Sequence, residues 1–284
     1  MAIPRLVYFT AFMLVLVLLV SARAVAEPQK TEQDYLIFGF LPIVSPERLV
    51  KRFAPLTEYL SQQLGTEIRM ETAPDFATFI QRTHGQRYDI LFTAPHLYYL
   101  AHKQSGYRAV VRVDRPGMQA IIVAPRTQNI ATIEDLRGRS LATTDPLALT
   151  TVLVRAHLEE AGINPDKDLT LVSTPSHNAS LLSAYQEVTN AAALIMPLYL
   201  RASPEIRESM VIVAKTRMVP HMPISVSPGV DDAMAERISQ ALIALRESPK
   251  GRSLLTHLAW PGFAPAREDE YTSLDWITEQ LKVQ

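Results

Sequence analysis

Two short stretches set side chains able to do chemistry into the same geometry. "YDILFTAPHLYYLA" (88–101) sets Thr93, His96 and two tyrosines where an apolar strand gives way, through Pro95, to a helix. "LATTDPLALTT" (141–151) repeats the plan: a strand over 140–144, then a helix opening at Asp145-Pro146-Leu147-Ala148-Leu149-Thr150. Proline suits a first turn, because the amide it lacks would have had no partner there. In open α/β sheets, ligands lie beyond the carboxyl ends of the strands, where such helices begin. Free amides and the positive end of the helix dipole make each start an anion site. Two such ends offered to one cleft describe a clamp around a small-molecule ligand.

Enzyme signatures are absent. The sequence has no GxSxG, HExxH, Walker A or GxGxxG pattern, and no nucleophile–base pair. Of its seven histidines, only His96 and His102 come near a ligand spacing, and six residues apart on a helix puts them on opposite faces. The expectation is a protein that is not an enzyme and carries no metal and no cofactor.

Residues 1–26 form a targeting segment: Arg5, an apolar run from Leu6 to Val20, then Ala24-Val25-Ala26 before Glu27. Cleavage after Ala26 removes two of 28 basic residues and none of 29 acidic ones, for a formal charge of −3. That balance excludes nucleic acid as a partner. Cysteine is absent, so neither disulfides nor a lipidated cysteine is expected, and the core must supply the stability. The expected location is the periplasm, as a free monomer.

After a leader (27–34), "YLIFGF" reads as a buried strand, and "ERLVKRFAPLTEYLSQQLG" carries helical periodicity. Pro55 inside that helix should kink or divide it. Further strands are expected at 66–73, 88–94, 107–114 and 118–125, the last two joined by the turn Arg115-Pro116-Gly117. A second βα series occupies 130–215, and the tail adds helices from 231 and from about Glu268. This order implies an α/β fold of two lobes. Lobe 1 takes 35–117 plus 224–284, and lobe 2, residues 118–223, is inserted into it.

Five segments carry a family resemblance: "FAPLTEYLSQQLG", "YDILFTAPHLYYLA", "IATIEDLRGRSLATTDP", "LEEAGINPDKDLTLVSTPSHNASLLSA" and "PGFAPAREDEY". In order and spacing the chain resembles the phosphonate/phosphite-binding (PhnD-like) periplasmic solute-binding proteins of ABC transporters. The resemblance implies a bilobal type II periplasmic-binding fold, with two mixed or parallel sheets flanked by helices and a ligand cleft between the lobes. It also implies hinge closure on a phosphonate-type oxyanion and delivery to an ABC-type or other inner-membrane transporter.

The resemblance places the ligand at both junctions. Tyr98 matches the family's ligand-facing tyrosine, but Leu97 replaces its serine. The family's Ser-Thr-Ser triplet is here Ala148-Leu149-Thr150, with Thr151 following. His177, after Ser176, matches a position near the cleft. His221 lies in "RMVPHMP", at a crossover between lobes. The expected ligand-binding set is therefore Thr93, His96, Leu97, Tyr98, Ala148, Leu149, Thr150, Thr151, His177 and His221. Hydrogen bonds to a charged group contribute roughly 1.5–3 kcal/mol each, so the lost hydroxyls imply altered specificity. The alternative is a periplasmic carrier of an apolar ligand, such as a sterol or other lipid.

Overall fold

The computed structural model describes residues 35–278 and residue 281; the targeting segment and leader lie outside them. The described chain forms two sheets. The first runs β11-β4-β10-β3-β1-β2, from β1 (Tyr35–Phe40), β2 (Glu67–Thr72), β3 (Ile90–Phe92), β4 (Arg108–Val113), β10 (Pro223–Val226) and β11 (Phe263–Pro265). The second runs β7-β6-β8-β5-β9, from β5 (Ala120–Pro125), β6 (Ser140–Thr143), β7 (Thr170–Ser173), β8 (Ala191–Ile195) and β9 (Met210–Lys215). Both are mixed. β1 is parallel to β2 and β3, and β6 to β7 and β8, whereas β10 and β5 are antiparallel to both neighbours. Among the described residues no helix is long and apolar enough to cross a membrane.

Two connecting segments run between the sheets, and they are clasped together. Met118 and Val219 exchange backbone hydrogen bonds of 2.8 and 2.9 Å, an antiparallel bridge outside either sheet. Arg115-Pro116-Gly117, expected as a turn between strands, begins one of these crossings and forms no hairpin, because β4 and β5 belong to different sheets. A Cβ at Gly117 would stand 2.5 Å from the Val219 carbonyl, so only glycine permits this approach.

The first helix departs from expectation instructively. α1 (Pro46–Leu64) runs undivided through Pro55. Pro55 has no N–H for the carbonyl four residues earlier, that of Lys51. That carbonyl instead accepts from His257 Nε2 at 3.0 Å, and the neighbouring Arg52 donates to Leu258 O at 3.0 Å. Both partners lie in α9 (Pro249–Leu258), which holds the helix whole from outside. Under α1, Phe53 packs on Phe40, Phe92 and Trp260, with ring centroids 4.8–5.8 Å apart. Phe263 is buried in the same core, and Trp260 packs against it partly buried.

Strand alternation sorts the side chains of β3. Phe92 joins the core beneath α1, while Leu91 and Thr93 turn toward α2 (Phe76–His84) and α3 (Pro95–Ser105). Gly39, in the middle of β1, lies on that second side against the buried ring of Tyr88. A Cβ there would be 2.4 Å from the ring. Gly39→Ala is expected to destabilise the protein by about 1–3 kcal/mol through overpacking, lowering Tm by several degrees in a thermal melt. An unchanged Tm would mean that the Tyr88 ring can step aside.

Candidate functional site

Each junction builds its helix start differently. At the first, Pro95 opens α3 behind Ala94, which offers no side-chain cap. At the second, α4 (Leu149–Glu160) begins later than expected, so Pro146 lies ahead of the helix. The cause is Asp145. Its carboxylate accepts from Leu147 N–H at 2.8 Å, and its carbonyl accepts from Ala148 N–H at 2.9 Å, forming a closed turn that takes in Pro146. Ala148 is then the N-cap, again without a side-chain hydrogen bond. Alanine is a poor N-cap, and the first amides of α4 have no partner within the helix. By contrast α5 (His177–Tyr185) is capped by Ser176, whose Oγ accepts from Ala179 N–H at 3.2 Å.

The two junctions meet through His96. Its Nε2 lies 2.9 Å from the carbonyl of Leu147, which joins the first turn of α3 to the turn ahead of α4. The imidazole is wholly buried, and its Nδ1 has no hydrogen-bond partner in the protein. Burial draws its pKa down to about 4, with the Leu147 carbonyl opposing in part. Three further polar atoms nearby in the topology share this condition, the first being Thr93 Oγ1, just past β3. Thr144 Oγ1, just past β6, and His177 Nδ1, at the start of α5 just past β7, are buried without partners. Ser173 Oγ donates to Thr144 O at 3.2 Å and Thr174 N–H to Thr143 O at 2.8 Å, which fixes the ends of β6 and β7 side by side. His177 is also drawn to about 4 by burial.

The remaining expected site residues divide. Leu149 and Thr150 are buried in the first turn of α4, beside Ala148. Thr151 is also buried there, but its Oγ1 is paired with Thr143 Oγ1 at 2.6 Å. Leu97 and Thr93 line a small cavity, about 10 Å³, between α2 and α3 with Phe79, Ile80 and Leu91. Tyr98 is fully buried. Its hydroxyl donates to the Glu268 carboxylate at 2.6 Å and accepts from Ala109 N–H at 2.9 Å, so its proton and a lone pair are both engaged inside the protein. Burial, then the Glu268 carboxylate, raises its pKa far above the phenol range.

His221 lies apart from the junctions. Its Nδ1 accepts from Met222 N–H at 2.9 Å, its carbonyl accepts from Tyr271 Oη at 2.9 Å, and it lines a cavity of about 290 Å³ beside the crossing segments with Arg112, Pro116, Met218 and Glu270. Burial, then Arg115 and Arg112, lowers its pKa to about 4. Asp145 and the backbone turn it fixes were not singled out in the sequence as site-formers. An Asp-Pro pair just ahead of a helical run is the sequence signal that points to them. Among the described residues no group of three or more His, Asp or Glu side chains could hold a metal ion.

Two mixed α/β sheets joined by paired crossings, with helix starts facing each other across the join, define a periplasmic binding protein of type II fold. Residues 38–271 match the profile of the family described as "ABC transporter, phosphonate, periplasmic substrate-binding protein". The chain belongs to that family. Among solved structures it is similar to a binding-protein component of an ABC phosphonate transporter from Pseudomonas aeruginosa, at 18% identity and TM-score 0.74, covering 89% of this chain and 88% of the other. It is also similar to PhnD1 from Prochlorococcus marinus in complex with methylphosphonate, at 15% identity and TM-score 0.75, covering 88% and 99%. A third is XAC2383 from Xanthomonas citri, bound to chloride, at 18% identity and TM-score 0.77, covering 88% and 98%.

Two expectations follow from these environments. His96, His177 and His221 are neutral when folded down to about pH 4, whereas their ordinary value is 6.5. Above 6.5 they do not affect stability. Between 6.5 and 4 the unfolded chain binds protons that the folded one does not, so stability falls with pH across that window. Tm measured from pH 7 to 4.5 should drop, with uptake of up to about three protons on unfolding; a flat profile would show these rings open to water. Carboxylates such as Asp75, Asp135 and Asp168, with pKa values lowered by backbone hydrogen bonds, act only below this window. Tyr98→Phe leaves the Ala109 amide unpaired and should cost about 1–3 kcal/mol, seen as a lower Tm with ligand affinity nearly unchanged. Lost affinity at unaltered Tm would instead place the Tyr98 hydroxyl on the ligand.

Proposed function

We propose that this protein captures a small phosphonate-type oxyanion between its two sheets and hands it to a membrane transporter without altering it chemically. The observation that carries this reading is the uncapped start of α4 behind Ala148, buried beside His96 and accompanied by the unpartnered Thr144 Oγ1 and His177 Nδ1. A buried polar atom left unpaired costs about 1–3 kcal/mol. Thr93 Oγ1 opens on the small cavity between α2 and α3, and the other three, at strand ends and helix starts, are best accounted for by a ligand that supplies their partners. Amides of the first turn of α4 would take the oxyanion, with a neutral imidazole and a threonine hydroxyl completing its shell. Export to the periplasm by the cleaved segment 1–26, a monomeric state and closure of the lobes 35–117 plus 224–284 and 118–223 around the crossings belong to the same proposal.

The substitutions Leu97 and Leu149 suggest a narrowed or altered ligand range. Leu97, however, packs against α2, which weakens the reading of an apolar carrier. The test is a melting-temperature series on the mature chain with phosphite, phosphate and methylphosphonate on one side and sterols and fatty acids on the other. A ligand at 100 times its Kd adds about 2.7 kcal/mol, a shift of several degrees for a chain of this size. Stabilisation by an oxyanion is the expected result. Stabilisation by the apolar panel alone would replace the proposal with the lipid-carrier reading.

A further inference from the structure

The tautomer of His96 follows from its contact. A carbonyl oxygen only accepts, so the ring nitrogen 2.9 Å from Leu147 O must carry a proton. In the neutral ring the other nitrogen, Nδ1, is then a bare acceptor. The two ring nitrogens point away from each other, so an imidazole whose Nε2 faces Leu147 presents Nδ1 to the opposite side. That atom is buried in a side chain with no exposed surface and has no donor from the protein. An oxyanion shell otherwise consists of donors, so a buried acceptor taken into such a shell would discriminate between ligands.

We propose, on the oxyanion reading above, that His96 Nδ1 accepts a hydrogen bond from the ligand itself and so selects an oxyanion that retains a proton. The chemical class is a monoprotonated phosphonate or phosphite, R–PO2(OH)⁻, whose P–OH donates to Nδ1 and whose other oxygens accept from the donors of the shell. No covalent step is involved, and the proton stays on the ligand. A fully ionised dianion would set oxygen lone pairs against the Nδ1 lone pair. A sulfonate has the same shape and the same single charge but no proton to give.

The ionisable groups on the elements about His96 are few. Asp145 sits in the turn carrying Leu147 and accepts from the Leu147 amide. Tyr98 and Tyr99 follow on the same helix, their hydroxyls bonded to Glu268 and Asp275. His177 opens α5, neutral by burial. Burial and the Leu147 carbonyl are the two influences on the ring's own ionisation, and no charged side chain contributes. The protein therefore keeps the ring neutral, and the acceptor remains available at the pH where the ligand titrates.

The experiment compares methylphosphonate with methanesulfonate by isothermal titration calorimetry on the mature protein, from pH 5.5 to 8.5. Leaving a buried acceptor unpaired weakens binding roughly ten- to a hundred-fold, so methanesulfonate should bind at least about tenfold more weakly at low pH. Methylphosphonate affinity should fall about tenfold per pH unit above its second ionisation, while that of methanesulfonate stays flat. In His96→Gln, whose amide can turn either a donor or an acceptor to the ligand, the ratio between the two anions should shrink to within about threefold. Equal affinity of the wild-type protein for both anions would overturn the inference and leave the oxyanion function standing. Affinities for both that fall together with rising pH would put the proton on His96 and overturn it likewise. Binding of neither anion would overturn the oxyanion function and this inference together.

Discussion

The clasp between Met118 and Val219 is the constraint on which the two-sheet arrangement rests. The chain leaves the first sheet after β4 and returns to it at β10, and the two passages are hydrogen-bonded to each other where they cross. With the passages paired, the end of β3 and the end of β6 face one join rather than two independent surfaces. His96 can then reach the Leu147 carbonyl, and the helix starts of α3 and α4 share a buried boundary. Glycine at 117 is part of the same constraint, since any side chain there would hold the passages apart.

Much of the fold was legible in the sequence, because apolar alternation, helical periodicity and Gly or Pro punctuation report local structure directly. What was not legible depended on partners far along the chain. Pro55 was expected to divide its helix, and locally it should. The donor that relieves the freed Lys51 carbonyl is His257, and nothing near Pro55 announces it. Likewise Arg115-Pro116-Gly117 carries a turn signal, but which sheet each flanking strand joins is decided by pairing with β10 and β9. Pro146 looked like a first-turn proline until the Asp145 carboxylate, closing on Leu147, moved the helix start to Leu149.

The site shows the same division. His96, Leu149, Thr150 and His177 stand where strand ends and helix starts put them, and those positions follow from the strand–proline–helix pattern and the family resemblance. Tyr98 does not follow so simply, because its hydroxyl is taken up by Glu268, 170 residues later. The C-terminal helices α10 (Glu268–Thr272) and α11 (Asp275–Thr278) draw heavily on α3: Tyr99 donates to Asp275, Lys103 pairs with the same carboxylate, and Tyr271 sets its edge against Tyr98. The acids of that segment stand at helix starts, and their partners lie outside any local window. A tyrosine engaged in this way ties α3 to the C-terminal segment.

The strand order of the first sheet also sets a timetable. β3 and β4 flank β10, which is contributed by Pro223–Val226, so neither is paired on its inner edge until four-fifths of the chain exists. α9, which completes α1 through His257 and Leu258, arrives later still. Such non-local closure delays folding, because the chain must come together over long separations before any contact rewards it. A nascent chain of this topology therefore carries the inner edges of β3 and β4 unpaired through most of its synthesis.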